Sequence, residues 1–68
     1  MEWVKVAYAN TRDVFIDGRR SGETNRVIAV AAGTHEFHLG APLDYAPDKQ
    51  KVAVKNTSIG NPLQIDFK

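Results

Sequence analysis

The pair Asp17-Gly18, closing the β-prone run Val14-Phe15-Ile16, constrains this chain more than any other feature. A two-residue hairpin turn of the favoured hand needs positive φ at both central positions, and Asp-Gly supplies them. The chain therefore reverses there, and Arg19 and Arg20 begin the return. Gly22 is expected to break that return early and to allow a second change of direction. Arg26 to Val30 is the next extended segment, since its β-branched residues favour open backbone and Ile28 and Val30 share one face. Ala31 to Thr34 turns again around Gly33. From Thr34 to Leu39 polar and apolar residues alternate, so His35, Phe37 and Leu39 take one side while Glu36 and His38 take a wetter one. The stretch Val14 to Leu39 thus reads as three short strands divided by turns.

The flanks carry the same period. Glu2 to Ala9 is a strand with Val4, Val6 and Tyr8 as its core face and Trp3, Lys5 and Ala7 opposite. Asn10 to Asp13 has turn chemistry, which predicts antiparallel pairing of this strand with Val14 to Ile16. Phe15 would then point outward on the same side as Trp3, and the two rings with Lys5 would form one exposed patch suited to a sugar, a peptide or a second subunit. The competing reading, which we favour, is that the other half of the fold covers these aromatics, since most large aromatics serve packing. Gly40 to Asp48 holds two prolines and several turn formers and is a long loop. Leu43 and Tyr45 are expected to fold back from it and plug an open end of the core, although such a loop could equally present a binding surface. Lys49 to Lys55 is a strand whose lysines suit a sheet edge. Asn56 to Pro62 is a turn, and Leu63 to Lys68 a final strand with Leu63, Ile65 and Phe67 inward. The expectation is all-β: a small antiparallel β-sandwich of about six short strands, with residues 1–68 as a single domain.

Chemistry is harder to find. Sixty-eight residues leave a small core, which in this size range supplies about 3–5 kcal/mol. The absence of cysteine removes disulfides, thiolate zinc sites and cysteine nucleophiles. Nine basic residues oppose eight acidic ones with the signs interspersed, so no broad field steers the chain to nucleic acid or to an anionic membrane. No apolar run approaches the roughly 20 residues of a membrane helix, and the N-terminus lacks the basic and apolar regions of a signal peptide; a soluble chain is expected. His35 and His38 stand three apart, which on a strand places them on opposite faces, so a shared metal is not expected. His35 is read as a core-edge imidazole holding a backbone carbonyl, and His38 as solvated. Asp17 is explained by its turn and Asp13 by a loop end, rather than as an acid–base pair. Nucleophile elbows, phosphate loops and zinc-protease motifs are missing. The expectation is a non-enzyme without cofactor or metal. Asn56-Thr57-Ser58 fits the N-glycosylation pattern, which is short enough to arise by chance. Arg19, Arg20 and Arg26 could gather at one edge and meet an acidic or phosphate partner, but no aromatic platform is interleaved with them, and a solvated charged edge is the favoured reading.

The order of these residues is similar to that of the PEGA domain family. Val14, Ile16, Asp17, Gly18, Gly22, Thr24, Ile28, Val30, Gly33, His35, Phe37 and Leu39 match its pattern, with Tyr45 where the family often has a tyrosine after its fourth strand. The match covers most of Asp13 to Val54. It departs at Asn25, where proline is usual, at Asp44, where glycine commonly precedes the tyrosine, and before Val14, where Pro-Glu-Gly-Ala is absent. The resemblance implies a compact non-catalytic β-sandwich of bacterial or archaeal origin, often appended to surface, envelope or signalling proteins, and hence an extracytoplasmic or envelope-associated parent. Three functions follow as expectations: an interaction module contacting protein or surface polysaccharide; a carbohydrate-binding module using Trp3, Phe15 and Tyr45; and, least favoured, a small nucleic-acid-binding barrel with a basic stripe. Open strand edges and a small core further predict homodimerisation or packing on a neighbouring domain.

Overall fold

The computed structural model describes every residue from Met1 to Lys68. Seven strands and no helix follow one another: β1 (Glu2–Ala7), β2 (Asp13–Ile16), β3 (Arg19–Glu23), β4 (Val27–Val30), β5 (Gly33–His38), β6 (Gln50–Val54) and β7 (Leu63–Asp66). They form a three-stranded sheet in the order β4-β1-β7 and a four-stranded sheet in the order β3-β2-β5-β6. The fold is a small all-β sandwich, as the alternation of its side chains requires.

That alternation fills the interior. Val4 and Val6 of β1, Val14 and Ile16 of β2, Ile28 and Val30 of β4, Phe37 of β5, Val54 of β6 and Ile65 of β7 join Leu39, Tyr45 and Phe67 in one buried cluster. β1, β2 and β4 each give two alternate residues to this cluster and turn the intervening ones away from it, the consequence of a period of two along extended backbone, while β3 gives none. Tyr8, Val52 and Leu63 pack on its margin. The buried polar residue, Thr24, sits at the passage between sheets. Its hydroxyl donates to the carbonyl of Asn10 at 2.7 Å and accepts the N–H of Arg12 at 2.9 Å, so its burial leaves nothing unpaired.

The Asp17-Gly18 turn forms as its residues require, with φ of 54° and 83°, and joins β2 to β3. Other expectations are corrected. The first strand does not pair with Val14–Ile16; β1 lies between β4, antiparallel, and β7, parallel. The Asn10–Asp13 segment is no hairpin turn but the step from one sheet to the other. It is anchored by Thr24 N–H on Arg12 O at 2.9 Å, and beside it Asn25 N–H donates to Val6 O of β1 at 2.7 Å. The parallel β1–β7 pair also means that the sandwich is not wholly antiparallel.

Gly22, finally, does not turn the chain. It lies inside β3, beside a bulge that shifts the register from Val14↔Gly22 to Phe15↔Arg20 and leaves Ser21 without an opposite residue. The reversal comes later, where Asn25 has a φ of 63°. Gly22 is needed for closeness: a Cβ there would stand 2.8 Å from Ile28 Cδ1 and 2.9 Å from Ile28 Cγ1, so β3 and β4 approach only because the side chain is missing. An Arg-rich strand with no apolar residue of its own is thereby added to the sequence reading, raising the count to seven.

Candidate functional site

Side-chain chemistry concentrates at three places. At the first, the turn residue Asp17 bridges two strands: its N–H donates to Glu36 O at 2.8 Å and its Oδ1 accepts the Glu36 N–H at 3.0 Å. Asp17 Oδ2 lies 2.6 Å from His35 Nδ1, and His35 Nε2 lies 2.7 Å from the carbonyl of Ala31. Both neighbours are acceptors only, so the ring satisfies both when it carries two N–H groups. The hydrogen bond to Asp17, then the one to Ala31, raises the His35 pKa above its ordinary value, while the bond from His35 lowers that of Asp17. The expected backbone-carbonyl partner of His35 is thus Ala31. The carboxylate partner was not legible, because turn and strand are separated by eighteen positions.

At the second place, the Arg12 guanidinium donates to Asp44 Oδ1 at 2.7 Å and to the carbonyl of Pro42 at 2.9 Å. It also stands over the rings of Tyr8 and Tyr45, 5.9 and 5.3 Å from their centroids. This bond holds Asp44 below the usual carboxylate range. The Tyr45 hydroxyl donates to Gly40 O at 2.9 Å and accepts the Leu39 N–H at 3.1 Å. The long loop is therefore pinned by an arginine and a tyrosine. Tyr45 plugs the core as expected; Leu43, at 69% exposure, does not.

The sequence-derived site residues do not converge. Trp3 and Lys5 alternate with the buried Val4 and Val6, so both are half-buried on the outer face of the three-stranded sheet. Phe15 alternates with Val14 and Ile16 and lies on the outer face of the four-stranded sheet, on the other side of the sandwich. The shared patch of Trp3, Lys5 and Phe15 does not exist, because β1 and β2 belong to different sheets. Phe15 is stacked on His38, centroids 5.0 Å apart and planes 4° apart, which also takes His38 out of the solvated role expected for it. Tyr45 is only 7% exposed and its hydroxyl is occupied, so it offers no ring to a ligand. A cleft of about 330 Å³ beside Phe15 is lined by Thr11, Arg12, Asp13 and Glu23. No group of three or more His, Cys, Asp or Glu side chains converges as metal ligands would.

At the third place, two sheet edges meet. The connection Thr24–Arg26 carries the chain from β3, an edge of one sheet, to β4, an edge of the other. Between them opens a cleft of about 550 Å³, walled by Arg20, Ser21 and Glu23 on one side and Arg26, Val27 and Ala29 on the other, with Gly22 and Ile28 as its floor. Natural sheets blunt their edges, and three of the four edge strands here do so. β6 carries Lys51 and is flanked by Lys49 and Lys55. β3 is bulged. β7 is capped at its C-terminal end by the loop, since Ala46 and Lys68 exchange backbone bonds of 2.6 and 2.8 Å and Gln50 Nε2 donates to Asp66 O at 2.6 Å. β4, Val-Ile-Ala-Val, carries no charge, proline or bulge within it, and its one flanking charge is Arg26. Its outward residues Val27 and Ala29 are exposed, and Ala29 lies directly opposite Trp3 on β1.

No family model, curated protein or solved structure matches this chain.

Proposed function

We infer that the chain is a non-catalytic interaction module, of the kind its PEGA-like residue pattern implies, and that it engages protein through the β4 edge. The observation that carries this reading is the contrast among the four edges: three are protected and the fourth presents free backbone beside an apolar strip of Val27, Ala29 and Trp3. Unpaired edge N–H and C=O groups are a template for an added strand, and apolar side chains on the neighbouring face supply the buried area that makes such addition selective. Trp3 stands one strand in from the edge, where a half-buried indole adds contact area to an incoming chain.

The test is a displayed library of random peptides, panned on the wild-type protein and on a Val27→Lys/Ala29→Lys variant. Both positions are exposed, so the variant keeps its fold, which circular dichroism verifies. Selected peptides should bind the variant at least about tenfold more weakly than the wild type. Peptides that bind both alike, or a protein that selects no peptide and instead responds to glycans, would overturn the reading.

A further inference from the structure

Resting on that interaction-module reading, we propose that the cleft between β3 and β4 accepts an extended acidic segment of a partner protein, added as a strand on β4 with its carboxylates held by Arg20 and Arg26. The arginines supply the argument from charge. Arg20 Nε lies 3.0 Å from Asp13 Oδ1, and Arg26 Nε lies 3.6 Å from Glu23 Oε1. Their side chains are 55% and 76% exposed, and both residues line the cleft. A guanidinium presents paired donors that fit the two oxygens of a carboxylate, and such charge-assisted bonds are among the stronger ones available to a surface. Glu23 is the one acid among the lining residues, against two arginines, and Arg19 lies exposed at the start of the same strand.

Geometry supplies the rest. A strand laid along β4 turns alternate side chains to opposite faces. One set falls on the outer face beside Val27 and Ala29, where apolar groups fit; the other turns to the side of Ile28, toward the cleft that Arg20 and Arg26 line. The ligand is therefore an alternation of apolar and acidic residues. A second copy of this chain fits less well: β4 paired with itself brings the arginines of two copies to one edge, and β4 has no acid to answer them. A nucleic acid strand fits less well too, since the cleft has no aromatic ring for bases to stack on and phosphates leave the β4 backbone half unpaired.

The experiment is a titration of isotope-labelled protein, followed by amide shifts and hydrogen exchange, with three blocked octapeptides alternating valine with glutamate, glutamine or lysine. The glutamate peptide should shift and protect the amides of Val27 to Val30. Its affinity should exceed that of the glutamine peptide about tenfold and fall as salt rises from about 50 to about 300 mM. An Arg20→Gln/Arg26→Gln variant, altered only at exposed side chains, should lose that preference while keeping the wild-type melting temperature, and Arg20→Lys/Arg26→Lys should keep only part of it. Equal binding of the glutamate and glutamine peptides at β4 overturns the acidic ligand and leaves the interaction module standing. Library-selected peptides that bind β4 while the glutamate peptide does not have the same meaning; failure of both sets removes the module as well. Sedimentation showing that the free protein pairs through β4, or an oligothymidine that binds the cleft more tightly than the glutamate peptide, overturns the proposal in favour of that occupant.

Discussion

His35 shows how much one side chain can be asked to do in a domain this small. It ties the β2–β3 turn to the β4–β5 turn through two acceptors, Asp17 and the Ala31 carbonyl, and no neutral tautomer donates to both. Glu36, next to it in sequence, pairs with Lys49 at 3.9 Å. The sign of the pH dependence follows from the directions of the two shifts. His35 is raised, so its stabilisation is complete below the ordinary histidine value and is lost as pH rises through the folded value. Asp17 is lowered, so its stabilisation is present above the ordinary carboxylate value and is lost as pH falls through the folded value. The junction is thus fully made between about pH 4 and 6.5. Thermal melts should show the midpoint falling by a few degrees from that window to pH 9, while a His35→Gln variant starts lower and changes less over the same range. A wild-type midpoint that stays level from pH 6 to 9 would show that the junction is not protonation-dependent.

The elements were legible where their information is local. Period two put Val4, Val6, Ile28, Val30, Phe37, Ile65 and Phe67 inside, and all seven are buried; Asp17-Gly18 named its own turn because a two-residue loop dictates its partner strand. Pairing over distance was not legible. Nothing in Glu2–Ala7 announces that its neighbours are β4 and β7, and the long loop's anchor on Arg12 joins residues thirty-two positions apart. β3 escaped because Arg-Arg-Ser-Gly-Glu has no apolar face, and its strand character comes from the hairpin and from Gly22 lying against Ile28. That contact gives a prediction at the same scale. Gly22→Ala puts a methyl within 3 Å of Ile28, a side chain 93% buried in the core, and should destabilise by about 1–3 kcal/mol. Ile28→Val alone should cost about 0.5–1.5 kcal/mol. Valine lacks the Cδ1 at 2.8 Å but keeps the Cγ1 at 2.9 Å, so it relieves part of the overlap, and the double variant should be more stable than the sum of the two by about 0.5 kcal/mol in urea unfolding. Strict additivity would mean that β3 shifts away freely and that Gly22 has no role in the close approach.

At the scale of the molecule, the first and last strands are built into one another. β7 lies parallel to β1, the N–H of Phe67 donates to the carbonyl of Ala7 at 2.9 Å, and the Phe67 ring meets Tyr45 edge-on with centroids 5.6 Å apart. Phe67 therefore joins the first strand, the last strand and the loop that caps the last strand, and it is 5% exposed. Truncating a buried phenylalanine costs about 3–5 kcal/mol, while a core of this size supplies only about 3–5 kcal/mol in total. Phe67→Ala should consequently leave much of the protein unfolded at 25 °C. Leu43→Ala is the control: an equally apolar residue, but solvated at the tip of the loop, it should change stability by no more than about 0.5 kcal/mol. Urea titrations followed by far-ultraviolet circular dichroism separate the two. If Phe67→Ala unfolds at a urea concentration close to that of the wild type, the parallel closure by β7 is not what holds the sandwich shut, and the β4-β1 pair must stand without it.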